Sequence, residues 1–235
     1  MVEERDDRDP APGSRGADRI TRQAAGAERR LVLLHGWGAD ADDLFELAGL
    51  LVGPESSVVA LRAPLPHPAG QGRQWYDLQQ PGWPQLPAAR EDLRRRLLAL
   101  DAELPLARTV LLGFSQGAAL ALDVATGAGA LPVAGVIGCS GYPHPDWRPG
   151  SLIAAAGAAA GTGGAGQPAP VLLTHGKLDP VVPYAASEDL RRQLRDSGRD
   201  VALIGFSGGH SIDASLFPAL RDFIEACWGR PGRGG

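Results

Sequence analysis

One stretch limits the fold more than any other: residues 109–122 read TVLLGFSQGAALAL. Thr109 to Leu112 form an aliphatic run suited to a buried strand, while Ala and Leu dominate from Gly117 onward and suit a helix. Between them lie only Gly113-Phe114-Ser115-Gln116-Gly117, so the chain must pass from strand to helix in one sharp turn. Side chains at positions 113 and 117 would collide in so tight a turn, which explains the two glycines. Ser115 sits at the tip, its hydroxyl pointing out of the sheet.

The rest of the chain keeps this rhythm. Short apolar segments at Leu31–Leu34, Ser57–Arg62, Thr109–Phe114, Val133–Cys139, Val171–Thr174 and Val201–Phe206 read as six strands. Helical spacing covers Asp42–Val52, Ala88–Leu104, Gln116–Thr126, Ser187–Asp196 and Asp213–Cys227. The alternation predicts an α/β fold with a mostly parallel central sheet flanked by helices on both faces. In the second helical segment Leu93, Leu97, Leu100 and Leu104 share one face, the pattern of a helix laid against a sheet. A chain of 235 residues suits one such core, expected over residues 31–230.

Other segments break the pattern. Residues 1–30 carry seven acidic and seven basic side chains with few aliphatics and no aromatic. Such a segment buries too little surface to offset its ordering entropy, so a disordered charged tail is expected, removable through residue 28 without loss of folding. Residues 63–87, rich in Pro and Gly with Trp75, Tyr76 and Trp83, read as a long ordered loop. Residues 151–170, almost entirely Ala and Gly, read as a flexible insertion, and 231–235 as a flexible C-terminus.

A net charge of −4, with no basic block beyond Arg94-Arg95-Arg96, argues against a nucleic-acid partner. No segment offers an uninterrupted apolar span of membrane length and MVEERDDRDP is no leader, so no membrane insertion and a cytoplasmic location are expected. Cys139 and Cys227 match neither a metal spacing nor a disulfide framework and are expected to be buried thiols.

A serine hydroxyl is a weak nucleophile until a positioned base removes its proton. Of five histidines, His35 lies before Ser115, His67 and His144 stand beside prolines, and His175 closes a strand. His210, in the loop GGHSI after the last strand, is the candidate base. Asp179 in THGKLDPVVP is the candidate acid that orients it, although this residue also suits a helix N-cap. The order Ser115, Asp179, His210 is the one expected when a strand–turn–helix nucleophile heads the series. Ser207 in GFSGG satisfies the same Gly-x-Ser-x-Gly pattern, but it leads into a loop with no acid between it and His210. Two backbone donors for a developing oxyanion are expected at Gln116, directly after the serine, and at Trp37, in the glycine-rich loop LHGWGADADDL. That loop is also readable as a plain glycine-rich strand end.

From Leu31 to about Trp228 the chain resembles the phospholipase/carboxylesterase family of α/β-hydrolases, the group that contains the acyl-protein thioesterases. The matching stretches are LLHGWGADADDL, QGRQWYDL, GFSQGAALAL, CSGY, THGKLDPVVPYAASEDLRRQL and GGHSI, in that order. The resemblance implies the α/β-hydrolase fold, no cofactor and no metal. It implies a serine carboxylic-ester hydrolase acting on acyl esters, lysophospholipids or thioesters, with a triad at Ser115, Asp179 and His210 and an oxyanion hole at Trp37 and Gln116. Gly36, Trp75 and Gly141, within the matching stretches, are expected to bind substrate. The charged tail, the Ala/Gly-rich segment and the bulky Trp37, which is expected to narrow an acyl pocket, depart from the pattern. Competing readings are a dienelactone-hydrolase-like enzyme, whose nucleophile is cysteine, a peptidase, and a non-catalytic binding protein on a hydrolase scaffold.

Overall fold

A computed structural model of the protein describes residues 14–15, 17–150 and 168–229. In chain order the strands are β1 (Ser14–Arg15), β2 (Arg19–Arg22), β3 (Arg30–Leu34), β4 (Ser57–Leu61), β5 (Leu65–Pro66), β6 (Arg73–Gln74), β7 (Thr109–Phe114), β8 (Gly135–Cys139), β9 (Val171–Gly176) and β10 (Val201–Phe206). The helices are α1 (Ala41–Leu51), α2 (Leu86–Asp101), α3 (Gln116–Thr126), α4 (Tyr184–Asp196) and α5 (Phe217–Gly229). Eight strands form one sheet in the order β1-β2-β4-β3-β7-β8-β9-β10, and β5 pairs β6 in a separate ribbon. From β4 to β10 every pairing in the large sheet is parallel, while β2 joins β4 antiparallel.

Because side chains alternate along a strand, each central strand feeds two cores. Val32 and Leu34 of β3 pack with Leu93, Leu97 and Leu100 of α2, Leu120 and Val124 of α3, and Leu190 and Leu194 of α4. Leu31 and Leu33 face the other way, with Leu44, Ala48 and Leu51 of α1 and Leu220, Ile224 and Trp228 of α5. Each fully buried aliphatic contributes about 1.5–3 kcal/mol relative to exposure. Helix α1 is opened by a capping box in which the Asp40 side chain accepts from the Asp43 N–H and Asp43 Oδ2 from the Asp40 N–H at 2.8 Å, and Asp40 Oδ1 also accepts from the Ala41 N–H at 2.6 Å. Helix α2 stops at Asp101, short of the expected end, so Leu104 leaves the helical stripe and its carbonyl instead accepts from buried Arg30 at 2.6 Å.

The expected tail is corrected over its second half. Residues 14–15 and 19–22 are strands of the sheet, and Ile20 is 1% exposed. A strand paired on both sides needs only one inward side chain, since backbone pairing with β4 from Arg19–Leu61 to Arg22–Val58 and with β1 at Ile20 and Thr21 supplies the rest; a lone isoleucine among charges leaves no periodicity to read. The first half of that tail lies outside the described residues, as do 151–167 and 231–235. The end of the expected insertion is ordered: Ala169 is buried, and the Pro170 carbonyl accepts from the Val136 N–H at 3.0 Å. Deleting residues 1–28 is therefore expected to destabilise the protein, since it removes the burial of Ile20, about 2 kcal/mol, and strips β4 of its antiparallel partner, leaving it paired to β3 alone. Thermal unfolding of the truncated chain should show a Tm lower by roughly 5 °C or more; an unchanged Tm would mean β2 adds nothing to the fold.

Candidate active site

The chain segments that follow β3, β7, β9 and β10 meet at the carboxyl ends of neighbouring parallel strands, where open α/β sheets hold their ligands. Ser115 follows β7 with φ 52° and ψ −116°, a backbone conformation that costs a non-glycine residue about 1–3 kcal/mol. Its N–H donates to the Cys139 carbonyl at 2.8 Å and its carbonyl accepts from the Ala119 N–H at 3.0 Å, which pins the turn. A Cβ on Gly113 would lie 2.5 Å from Ala118 Cα, and one on Gly117 would lie 2.2 Å from the Leu34 carbonyl oxygen. Both glycines are therefore steric requirements of the turn.

His210 Nε2 lies 3.0 Å from Ser115 Oγ, and His210 Nδ1 lies 2.7 Å from Asp179 Oδ2. The carboxylate accepts, so Nδ1 carries the proton and Nε2 is free to accept from the serine hydroxyl. Asp179 Oδ1 in turn accepts the N–H groups of Val181 at 2.8 Å and Val182 at 2.9 Å. The Phe114 ring packs on His210 with centroids 4.8 Å apart. Burial pushes the Asp179 carboxyl up, but hydrogen bonds from His210 and from the Val182 and Val181 N–H groups outweigh it and leave it below the usual carboxylate range. Hydrogen bonding to Arg90 holds the Asp146 carboxyl down at about 2. Carboxyls depressed in the folded state contribute stability that is complete above their unfolded values near 4 and is lost as the pH falls through the folded values. Tm is accordingly expected to drop between about pH 4 and 2, and less steeply in Asp179→Asn; an equally steep drop in that variant would contradict the shift at Asp179.

The remaining histidines are committed elsewhere. His35 accepts the Ala63 N–H at Nε2 (3.0 Å) and donates from Nδ1 to the Gly36 carbonyl (2.8 Å), and burial lowers its pKa. His67 stacks edge-on to Trp37 with centroids 4.1 Å apart. His144 bridges Asp123 and the Tyr76 hydroxyl, each at 2.7 Å. His175 is buried beneath Asp179. Ser207 is exposed, and among the described residues no imidazole is bonded to its hydroxyl. Its glycines serve packing: a Cβ on Gly176 would lie 2.4 Å from the Gly208 carbonyl oxygen and 2.2 Å from that of Gly209, so the Asp179 and His210 loops approach backbone to backbone. Cys139 is buried and unpaired, and burial raises its thiol to about 11.

The Trp37 loop is knitted to β6 by Gly38 N–H to the Arg73 carbonyl (2.8 Å) and Arg73 N–H to the Ala39 carbonyl (2.9 Å). The Trp37 indole donates to Gln74 Oε1 at 2.9 Å. Among the described residues, neither the Trp37 nor the Gln116 backbone N–H has a protein acceptor. Gly36 is close by, since a Cβ there would lie 3.4 Å from Ser115 Cβ.

Two of the expected substrate-binding residues, Trp75 and Gly141, are packed into the fold beside the site. Trp75 is 1% exposed; its backbone N–H donates to Gln116 Oε1 at 3.0 Å and its indole N–H to the His35 carbonyl at 2.9 Å. It is a buried bracket between the Trp37 loop and the start of α3. Gly141 packs on α3, where a Cβ would lie 3.0 Å from that of Ala118. Residues 63–87 form the ordered loop expected, but composition alone does not distinguish a packed indole from a presented one.

Sequence reasoning also missed a buried chain that fixes this loop: Tyr142 to Tyr76 (2.7 Å), Tyr76 to His144, His144 to Asp123, and Asp123 to Arg90. Its only advance signals were an aspartate inside the apolar run of α3 and a histidine between two prolines.

A serine at a strained strand-to-helix elbow, bonded through an imidazole to a buried carboxylate at the carboxyl edge of a parallel sheet, defines an α/β-hydrolase. The profile of the Phospholipase/Carboxylesterase family matches residues 16–228, and the chain belongs to that family. It is 30% identical over 137 residues to acyl-protein thioesterase 1 of Neurospora crassa; the match covers 53% of this chain and about half, 48%, of that protein. Among solved structures it is similar to esterase PE8, with 29% identity, a TM-score of 0.70 and coverage of 88% of this chain and 97% of the other. Acyl-protein thioesterase 2 of Zea mays shares the fold at 24% identity and a TM-score of 0.69, over 90% of this chain and 99% of the other. Among the described residues no helix is long and apolar enough to cross a membrane.

Proposed function

We propose that this protein is a serine esterase or thioesterase that hydrolyses acyl esters, lysophospholipids or acyl thioesters through an acyl-enzyme. The observation that carries the reading is the unbroken chain from Ser115 Oγ to His210 Nε2 at 3.0 Å and from His210 Nδ1 to Asp179 Oδ2 at 2.7 Å. Ser115 Oγ attacks the acyl carbonyl carbon as His210 Nε2 takes its proton, and Asp179 holds the imidazolium that forms. The carbonyl oxygen becomes an oxyanion facing the Trp37 and Gln116 N–H groups, whose lack of a protein acceptor supports that role. When the tetrahedral centre collapses, the ester or thioester bond breaks and the leaving alcohol or thiol takes the proton from His210. Water then attacks the acyl-serine by the same steps, releasing the acid and restoring Ser115. Serine at position 115 speaks against the dienelactone-hydrolase-like alternative. The absence of any membrane-spanning helix among the described residues agrees with a cytoplasmic enzyme meeting small acyl substrates.

The test is turnover of p-nitrophenyl esters over a series of acyl chain lengths, with acyl thioesters of the same lengths in parallel. Hydrolysis with a burst of one p-nitrophenol per chain supports the acyl-enzyme. No turnover of any member would overturn the reading in favour of a binding protein on this scaffold.

A further inference from the structure

One buried imidazole has no part in the reaction as written, yet it touches the residue on which that reaction turns. His175 lies on β9 with its side chain fully buried, four residues before Asp179. Its Nε2 is 2.8 Å from the Val182 carbonyl oxygen and 3.2 Å from Asp179 Oδ2, and its Nδ1 is 2.7 Å from Ser187 Oγ. A carbonyl only accepts, so Nε2 carries the proton and Nδ1 accepts the Ser187 hydroxyl hydrogen. That Nε2–H goes to the Val182 carbonyl, and its positive end stands 3.2 Å from the same carboxylate oxygen that receives His210 Nδ1–H at 2.7 Å. Oδ1 is already held by two backbone N–H groups, so the carboxylate is bonded on both oxygens and Oδ2 lies between two imidazoles.

The other groups around His175 do not duplicate this contact. The Tyr184 ring stands edge-on at 5.7 Å from the imidazole, and Tyr184 and Lys177 converge on Gly205, where an added Cβ would lie 2.7 Å from the Tyr184 hydroxyl and 3.0 Å from Lys177 Cε. Among the described residues Asp179 is the carboxylate that lies against His175, at 3.2 Å, and it is also the carboxylate that holds His210.

We propose that His175 is a positioning residue for hydrolysis, whose Nε2–H holds Val182 against Asp179 and, standing beside Oδ2, disperses part of the charge that the carboxylate presents to His210. The proposal rests on the reading of Ser115, His210 and Asp179 given above. Val182 N–H on Oδ1 and a positive N–H end beside Oδ2 together favour one rotation of the carboxylate about its last torsion. The N–H end beside Oδ2 also makes that oxygen a weaker acceptor, so its loss both loosens the line to His210 and strengthens the hold on the imidazolium once formed.

Two amide replacements separate this role from simple packing. In His175→Gln the amide nitrogen reaches the place of Nε2 and still donates to the Val182 carbonyl beside Asp179, whereas in His175→Asn it reaches only the place of Nδ1. The Asn variant is expected to lose about 10²-fold in kcat with little change in KM, with the acid limb of kcat/KM displaced to higher pH, and the Gln variant to stay near wild type in both. Fluorophosphonate labelling of Ser115 and thermal unfolding, run on all three proteins, establish that each is folded and competent. If His175→Asn does not fold, Ser187→Ala, which removes the hydrogen that sets the tautomer, is expected to move the limb the same way by a smaller step. Equal losses in the Asn and Gln variants, or a limb that stays in place or moves to lower pH, would overturn the positioning role while leaving the esterase reading intact. An inert wild type would overturn the esterase reading itself, and this proposal with it.

Discussion

Ser115→Ala is expected to lower kcat by on the order of 10³-fold or more with little change in Tm, because removing one member of a cooperating nucleophile–base–acid set disables the whole set. The residual rate measures what the oxyanion donors and binding supply alone. The sequence provides the control for this experiment, since Ser207 stands in a second Gly-x-Ser-x-Gly pattern. A fluorophosphonate reacts with an accessible serine whose proton a neighbouring base can take; among the described residues Ser115 lies 3.0 Å from His210 Nε2, whereas Ser187, 2.7 Å from His175 Nδ1, is fully buried. Mass spectrometry of the labelled protein should therefore find the adduct on Ser115, and Ser207→Ala should be labelled as fast as wild type. An adduct on Ser207, or near-normal turnover by Ser115→Ala, would sink the assignment of the site.

How far the sequence carries follows from which interactions leave a periodic trace. The parallel strands β3, β4, β7, β8 and β9 are buried almost throughout, and β10 at the end of the sheet, though only Val201 is buried, is likewise apolar on both faces; such runs are legible wherever they occur. The elbow is legible because two collisions with backbone force two glycines at fixed spacing around Ser115. The strand β2 is not, because it is held by backbone pairing to β4 and β1 and buries only Ile20. Trp75 shows a subtler limit: its motif was recognisable, but its role was not, since whether an indole meets substrate or braces a loop depends on where its N–H finds an acceptor, here the His35 carbonyl across 40 positions of sequence. His175 was legible as a strand-ending histidine and set aside for that reason; its contact with Asp179 depends on the curl of the Lys177–Val182 turn, which brings Val182 and Asp179 back over β9.

The second large effect is expected at Gly117, and it separates steric necessity from catalytic need. A methyl group there would stand 2.2 Å from the Leu34 carbonyl oxygen and 2.5 Å from that of His35, far inside the ~3.5 Å at which such atoms rest in contact. Both neighbours are backbone, at the end of a central strand paired on both sides, so neither can turn aside as a side chain does. Relief requires α3 to move off β3, which separates the Gln116 N–H from the Trp37 loop and opens the contacts of Leu120 and Val124 in the core. Gly117→Ala should thus cost about 3 kcal/mol, a Tm lower by roughly 6–12 °C, and most of the turnover. Gly36→Ala is the matched comparison. Its Cβ would meet Phe114 Cδ1 at 3.0 Å and Ser115 Cβ at 3.4 Å, and an aromatic ring can shift by a few tenths of an ångström. Its Tm should stay near wild type while turnover falls, because Phe114 packs against His210. If Gly117→Ala melted with wild type, α3 would not be seated against β3 at that glycine, and the elbow would owe its geometry to something other than the close approach described above.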